Sequence, residues 1–125
     1  MQAIKDGMAK VNNDEDGTAI TAWLGFPGII ETVGKTGTAD FTDKQYEVGR
    51  APFATYVSFA PKDKPEIAVV TVVYDGGHGG NVASVARAVY EAYFKERILQ
   101  NNPSYTSESF EKYVKGVKPD NKVIK

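Results

Sequence analysis

Cysteine is absent from the 125 residues, so neither a disulfide nor a thiolate metal site can form, and its absence says little about compartment. Also missing is any apolar run approaching the roughly 18 to 20 residues that cross a bilayer, and the N-terminus has no basic-then-apolar signal pattern. Charge of one sign is not in excess, since 15 Lys and Arg stand against 16 Asp and Glu. Such a balance creates no field strong enough to draw nucleic acid or an anionic membrane. Histidine occurs once, at His78 within "GGHGG", and no carboxylate cluster is spaced to complete a metal site around it. His78 is therefore expected to be a loop residue, and no metal or cofactor is expected. What is present is 42% hydrophobic residues, enough for one modest core, so the chain is expected to be a single soluble domain or a piece of one.

The apolar pattern supplies an order of elements. Met1, Ile4, Met8 and Val11 recur at helical spacing, with Asn12 and Asn13 as a stop, which predicts an opening amphipathic helix. A turn follows from Asp14 to Gly17, and Ile20, Trp23 and Leu24 fit a short helix closed by Pro27 and Gly28. The β-branched content of Ile29 to Val33 predicts a strand running into "VGKTGTADF", and Asp40 to Arg50 reads as a polar loop. "FATYVSFA", from Phe53 to Ala60, and "EIAVVTVVY", from Glu66 to Tyr74, predict a hairpin. In the second strand Ile67, Val69 and Val73 point one way while Val70 and Val72 point the other, which predicts cover on both faces. Asn81 is a candidate N-cap for a helix that carries Val82, Val85, Ala86, Val89 and Tyr93 on one stripe, with Tyr90, Phe94 and Ile98 beside it, and that ends near Asn101. Beyond Pro103 the chain is expected to be a polar tail over 101–125 with a short helix, capped by Ser107, carrying Phe110, Tyr113 and Val114 and stopped by Gly116. Trp23, Phe26 and Phe59 are expected in the core or at the rim of a cleft.

Chemistry concentrates in Lys35-Thr36-Gly37-Thr38. A phosphate-binding P-loop requires four residues between its glycine and the Gly-Lys pair, and the five from Gly28 to Gly34 rule it out, as does the lack of a following helical pattern. The same residues match the lysine-threonine-glycine motif of active-site serine penicillin-recognising enzymes. On a strand, Thr36 and Thr38 share one side and both can hydrogen-bond a carboxylate, to which Lys35 adds positive potential. Gly37 keeps the space between them clear.

The surroundings extend the match. "GMAKVNNDEDGTA", "VGKTGTAD", "ATYVSFAPKDKPEIAVVTVVYDG" and the helix after "GG" resemble, in order, the closing third of the transpeptidase domain of a class B penicillin-binding protein, over about residues 1 to 98. This resemblance implies an α/β fold of the α+β type, about three antiparallel strands with flanking helices, occupying residues 1–100. It implies a peptidoglycan D,D-transpeptidase of the cell wall, acting at the extracytoplasmic face of a bacterial membrane, with D-Ala-D-Ala stem peptides as substrate and β-lactams as acylating ligands. Lys35, Thr36, Gly37 and Thr38 would bind substrate, and the main-chain N–H of Thr38 would be one oxyanion-hole donor.

The family's serine-x-x-lysine nucleophile motif and its serine-x-asparagine motif both precede the lysine-threonine-glycine strand. None of the 34 residues before Lys35 is serine, so the chain by itself is expected to form no acyl-enzyme. Ser109-Phe110-Glu111-Lys112 does match serine-x-x-lysine, but it falls after the strand motif, and five serines in a lysine-rich chain make one chance match unsurprising. The alternative to a transpeptidase fragment is a stand-alone, non-catalytic interaction module that keeps this sheet. Under the resemblance, the strand from Glu66 to Tyr74 would pair with an earlier strand, so this chain should leave an apolar edge and sheet face open to self-association. Sedimentation at tens of micromolar is expected to show an oligomer; a monomer there counts against it.

Overall fold

The computed structural model describes residues 1–39 and 51–115; the loop expected from Asp40 to Arg50, the stop at Gly116 and the lysines that follow lie outside the described residues. The chain divides into two compact units, Met1–Ala86 and Arg87–Lys125.

In the first unit, α1 spans Gln2–Asn13 and α2 spans Ile20–Trp23. The expected stripe of α1 is not its buried face: Met1 is 92% and Ile4 63% exposed, whereas Ala9 and Asn12 are buried. The helix is turned so that Asn12, which no hydropathy count would place inside, reaches a polar partner in the core. Gly17 lets the chain fold back tightly on the helix end, because a Cβ there would lie 2.5 Å from the Lys10 carbonyl and 2.6 Å from that of Val11. The strand expected to start at Ile29 starts at Val33 instead. Residues 27–30 form a turn closed by Ile30 N–H on the Pro27 carbonyl at 3.1 Å, and the β-branched Ile30 serves as a buried anchor.

Among the described residues the sheet is antiparallel, with β1 (Val33–Ala39), β2 (Phe53–Ala60) and β3 (Ile67–Val73) in that order, so β2 is central and β1 and β3 are the edges of the described sheet. Val33 pairs with Phe59 and Ala39 with Phe53; Ala54 pairs with Val73 and Ala60 with Ile67. Helices flanking a three-stranded antiparallel sheet are the arrangement that the sequence resemblance implied. One face is closed: Ala54, Tyr56, Ser58, Ala60 and Thr71 are buried on it. The other face carries Val57, Val70 and Val72, at 44%, 66% and 54% exposure. The expectation that both faces of β3 are covered therefore fails for the described residues, since apolar character on two sides demands cover without supplying it.

What holds α1, α2 and the sheet together is a buried hydroxyl. Tyr56 Oη donates to Asn12 Oδ1 at 2.7 Å and accepts from Trp23 Nε1–H at 2.9 Å. Asn12 in turn donates to Thr32 Oγ1 at 3.1 Å, and Asn13 donates to the Thr32 carbonyl at 3.2 Å. Outside this cluster, Lys62 bridges Asp6 of α1 at 2.9 Å and Glu31, ahead of β1, at 3.2 Å.

Beyond β3 a 3-10 turn covers Gly79–Val82 and leads into α3 (Ala83–Tyr93), followed by α4 (Lys95–Asn101). Asn81 lies inside the 3-10 turn, not at the helix cap expected for it; its carbonyl accepts from Ser84 Oγ at 3.3 Å. The stripe expected to be primary is split: its Val82 and Ala86 are buried, but Val85 is 49%, Val89 39% and Tyr93 53% exposed. The residues expected beside it, Tyr90, Phe94 and Ile98, are buried.

In the second unit the carboxylate of Glu91 is fully buried. Its Oε1 accepts from Arg87 Nε at 3.0 Å, Tyr105 Oη at 2.8 Å and Ser107 Oγ at 2.6 Å, and its Oε2 accepts from Ser109 Oγ. Burial pushes this carboxyl up, but the hydrogen bonds from Ser107, Ser109, Arg87 and Tyr105 outweigh it and hold the group below the usual glutamate range. Ser107 also caps the turn that follows, its Oγ accepting Phe110 N–H at 3.0 Å ahead of a π-helical turn at Phe110–Val114. Tyr105 and Phe110 are buried, so within 104–115 the chain packs onto this polar anchor; the rest of the expected tail lies outside the described residues.

Two measurements check these anchors. Tyr56→Phe strips Asn12 Oδ1 of a buried donor and is expected to cost ~1–3 kcal/mol in thermal or urea unfolding. For Glu91 the sign follows from its depressed folded value: the unfolded chain binds the proton more readily, so the anchor contributes fully above the ordinary glutamate value of about 4.3. Its contribution is lost as pH falls through the lower folded value. Protection of the Phe110 amide from hydrogen exchange should drop over that acid range, and Glu91→Gln should remove most of the dependence.

Candidate functional site

The candidate residues occupy β1. Their exposure rises along the strand: Val33 and Gly34 are buried, Thr36 and Gly37 are half-buried, and Lys35, Thr38 and Ala39 are exposed. Gly34 is required by Tyr56, because a Cβ there would stand 2.2 Å from the tyrosine oxygen. The same hydroxyl that joins the helices to the sheet thus dictates the residue just before the lysine.

An edge strand leaves alternate main-chain groups unpaired. The Glu31 carbonyl accepts from Lys62 N–H, toward the β2 side, while the Thr32 carbonyl faces α1 through Asn13. Odd-numbered residues of β1 accordingly pair with β2, and the main-chain groups of Thr36 and Thr38 face the open edge. The Lys35 ammonium curls to that edge and donates to the Thr36 carbonyl at 2.7 Å. The four residues therefore carry two hydroxyls on the face of Tyr56 and Ala54 and a cation that starts from the opposite face and reaches the edge, where the main chain of Thr36 and Thr38 is turned outward.

The hydroxyls are held from behind. Thr36 Oγ1 lies 2.8 Å from Thr18 Oγ1, and Thr38 Oγ1 accepts the Gly79 N–H at 3.3 Å. Gly37 is also close to the next strand: a Cβ there would meet Thr55 Oγ1 of β2 at 2.3 Å. On Gly79 a Cβ would lie 2.5 Å from the Gly37 carbonyl oxygen, 2.6 Å from that of Thr55 and 2.8 Å from Gly37 N. The 3-10 turn thus packs main chain on main chain behind the motif, which only glycine permits.

Sequence reading missed Thr18, Gly79 and Gly80. The glycine pairs of "DGGHGGN" were a visible signal for close approach; Thr18, in a turn between helices, gave none. His78 precedes the 3-10 turn in extended conformation, and among the described residues no group of three or more metal-ligating side chains occurs. Ser109 is bonded to Glu91, and Lys112 stands 5.2 Å from the Tyr113 ring centroid, so neither side chain is engaged with the other.

The penicillin binding protein transpeptidase domain matches residues 1–93. The peptidoglycan D,D-transpeptidase MrdA of Haemophilus influenzae is 33% identical, over 79% of this chain and 16% of that protein. The protein of the same name from Acinetobacter baumannii is 33% identical over 60% of the chain and 12% of its own length. The peptidoglycan D,D-transpeptidase PbpA of Mycolicibacterium smegmatis is 35% identical over 62% and 16%. Among solved structures, the penicillin-binding protein PBP2 of Helicobacter pylori, from its complex with MreC, superposes with a TM-score of 0.58 at 27% identity, covering 82% of this chain and 17% of that one. The chain thus spans less than a fifth of the length of each.

The packing behind β1 can be checked with paired glycine substitutions. Gly79→Ala forces a methyl onto rigid backbone and should destabilise by ~1–3 kcal/mol. Gly7→Ala, on an open helical surface with nothing within 4 Å, should stabilise by up to ~1 kcal/mol.

Proposed function

Because the chain belongs to the penicillin binding protein transpeptidase domain family, we propose that it forms the carboxylate-binding wall of a peptidoglycan D,D-transpeptidase site, also open to β-lactams. The observation that carries this reading is the edge of β1 in the described sheet, where the Lys35 ammonium reaches the Thr36 carbonyl and the Thr36 and Thr38 hydroxyls, backed by Thr18 and Gly79, stand within one short strand. In this reading Lys35 supplies the positive potential for the terminal carboxylate of the stem peptide. Thr36 and Thr38 donate hydrogen bonds to it, and charge-assisted bonds of this kind are roughly twice as strong as neutral ones. Gly37 lets the strand lie flat against Thr55 while leaving the edge open.

The outward N–H of Thr38 is suited to a second task. A main-chain donor fixed by a sheet is already oriented when negative charge develops on an attacked carbonyl oxygen, so it stabilises that charge with little reorganisation. The nucleophilic serine and its lysine must come from outside these residues, since no serine precedes Lys35. Such a site acts on the extracytoplasmic face of the membrane, where peptidoglycan is; no helix of the described residues is long and apolar enough to cross a bilayer.

A fluorescent penicillin tests both halves of the proposal. The 125-residue chain alone should give no labelled band after denaturation. A longer polypeptide that joins it to a serine-x-x-lysine segment encoded upstream should be labelled. There, Lys35→Ala should slow acylation by about 10- to 150-fold, the worth of a charge-assisted hydrogen bond of ~1.5–3 kcal/mol. Labelling of the short chain, or an in-frame stop directly upstream of Met1, would overturn the reading.

A further inference from the structure

The hydroxyls of Thr36 and Thr38 are each engaged by a group that the reading above leaves without a task. Thr18 Oγ1 lies 2.8 Å from Thr36 Oγ1, and the Gly79 N–H donates to Thr38 Oγ1 at 3.3 Å. A hydroxyl has one proton and two lone pairs. An amide N–H can only donate, so Gly79 takes up a lone pair of Thr38 and leaves the threonine proton for an acceptor outside. At Thr36 the direction is set by what binds: once its proton goes to an anion, Thr18 must be the donor to it. Hydrogen bonds arranged head to tail in this way polarise one another.

The supporting groups are themselves seated together. A Cβ on Gly80 would come within 2.2 Å of the Thr18 carbonyl oxygen, and one on Gly79 within 2.5 Å of the Gly37 carbonyl oxygen. The Gly79-Gly80 pair is therefore wedged between the turn that carries Thr18 and the strand that carries the motif. The main chain of Thr18 is thus seated against Gly80, and its hydroxyl lies beside that of Thr36.

We propose that Thr18 is a positioning residue, which together with the Gly79 N–H orders the Thr36 and Thr38 hydroxyls as outward donors and so favours a carboxylate, a pure acceptor, over a neutral amide. The inference rests on the reading of this edge as a carboxylate site and adds to it the groups that set the direction of its hydrogen bonds.

The test uses the 125-residue chain, labelled with nitrogen-15 and titrated at millimolar concentration with N-acetyl-D-alanyl-D-alanine and, separately, with its C-terminal amide. The Thr38 and Gly79 amide shifts should saturate with the acid and respond far less to the amide. Thr18→Val should weaken binding of the acid about three- to tenfold, the worth of one neutral hydrogen bond, and Thr18→Ser should restore it. Should Thr18→Val lose the fold, Thr18→Ala removes the hydroxyl without adding bulk. Binding of the acid that is unchanged in the hydroxyl-free variants, or not restored by serine, overturns the role of Thr18 while leaving the carboxylate site standing. A wild-type chain that does not distinguish acid from amide, or a Lys35→Ala variant that binds the acid as wild type does, overturns the carboxylate reading itself and this inference with it.

Discussion

The hydroxyl of Tyr56 is the constraint from which the first unit is built. It sits on the closed face of the central strand, donates to Asn12 of α1, accepts from Trp23 of α2, and forbids a side chain at Gly34 of β1. Three elements separated in sequence thus meet at one buried oxygen. Its partners are short, directional and shielded from water, so a shift of α1, α2 or β1 breaks a hydrogen bond in a place where none can be replaced. That is why α1 presents Asn12 inward and leaves Met1 and Ile4 in solvent, against its own hydropathy pattern.

From that hub the position of the site follows. Gly34 lies flat beneath the tyrosine, so the four residues after it continue along an edge with one side turned to β2 and the other free. The glycines of the 3-10 turn close the rear of the same strand, leaving the Lys35 ammonium and the outward main chain as the accessible surface. A binding edge of this kind is rigid because sheet pairing, the tyrosine hub and a glycine-on-glycine contact each hold a different part of it. In the proposed reading of this edge such placement matters, because donors already aligned stabilise developing charge without first reorganising.

The second unit uses the same physics with a charge at its centre. Glu91 would be costly to bury alone, and four donors from Arg87, Tyr105, Ser107 and Ser109 offset that cost and depress its pKa. Three of those donors come from the segment after α4, which gives that otherwise polar stretch a reason to fold back. Meanwhile Val57, Val70 and Val72 on the sheet, and Val85, Val89 and Tyr93 on α3, stay exposed.

Local pattern and motif determined a good deal. Strand β2 runs from Phe53 to Ala60 as expected, the hairpin to β3 follows from the break at Pro61 to Pro65, and the helical run ends at Asn101 ahead of Pro103, though it was expected to be continuous and breaks at Phe94 into α3 and α4. The run from Lys35 to Thr38, with its flanking segments, pointed to the family, because a sequence motif is carried by contiguous residue types. Tertiary structure alone decided which stripe of α1 and α3 is buried, that residues 27–30 turn instead of pairing, and that Ser109 binds a carboxylate. It alone brought Thr18 and Gly79 behind the motif. Each of these depends on partners distant in sequence, and a hydrogen bond between residues 18 and 36, or 12 and 56, leaves no periodic trace in either segment.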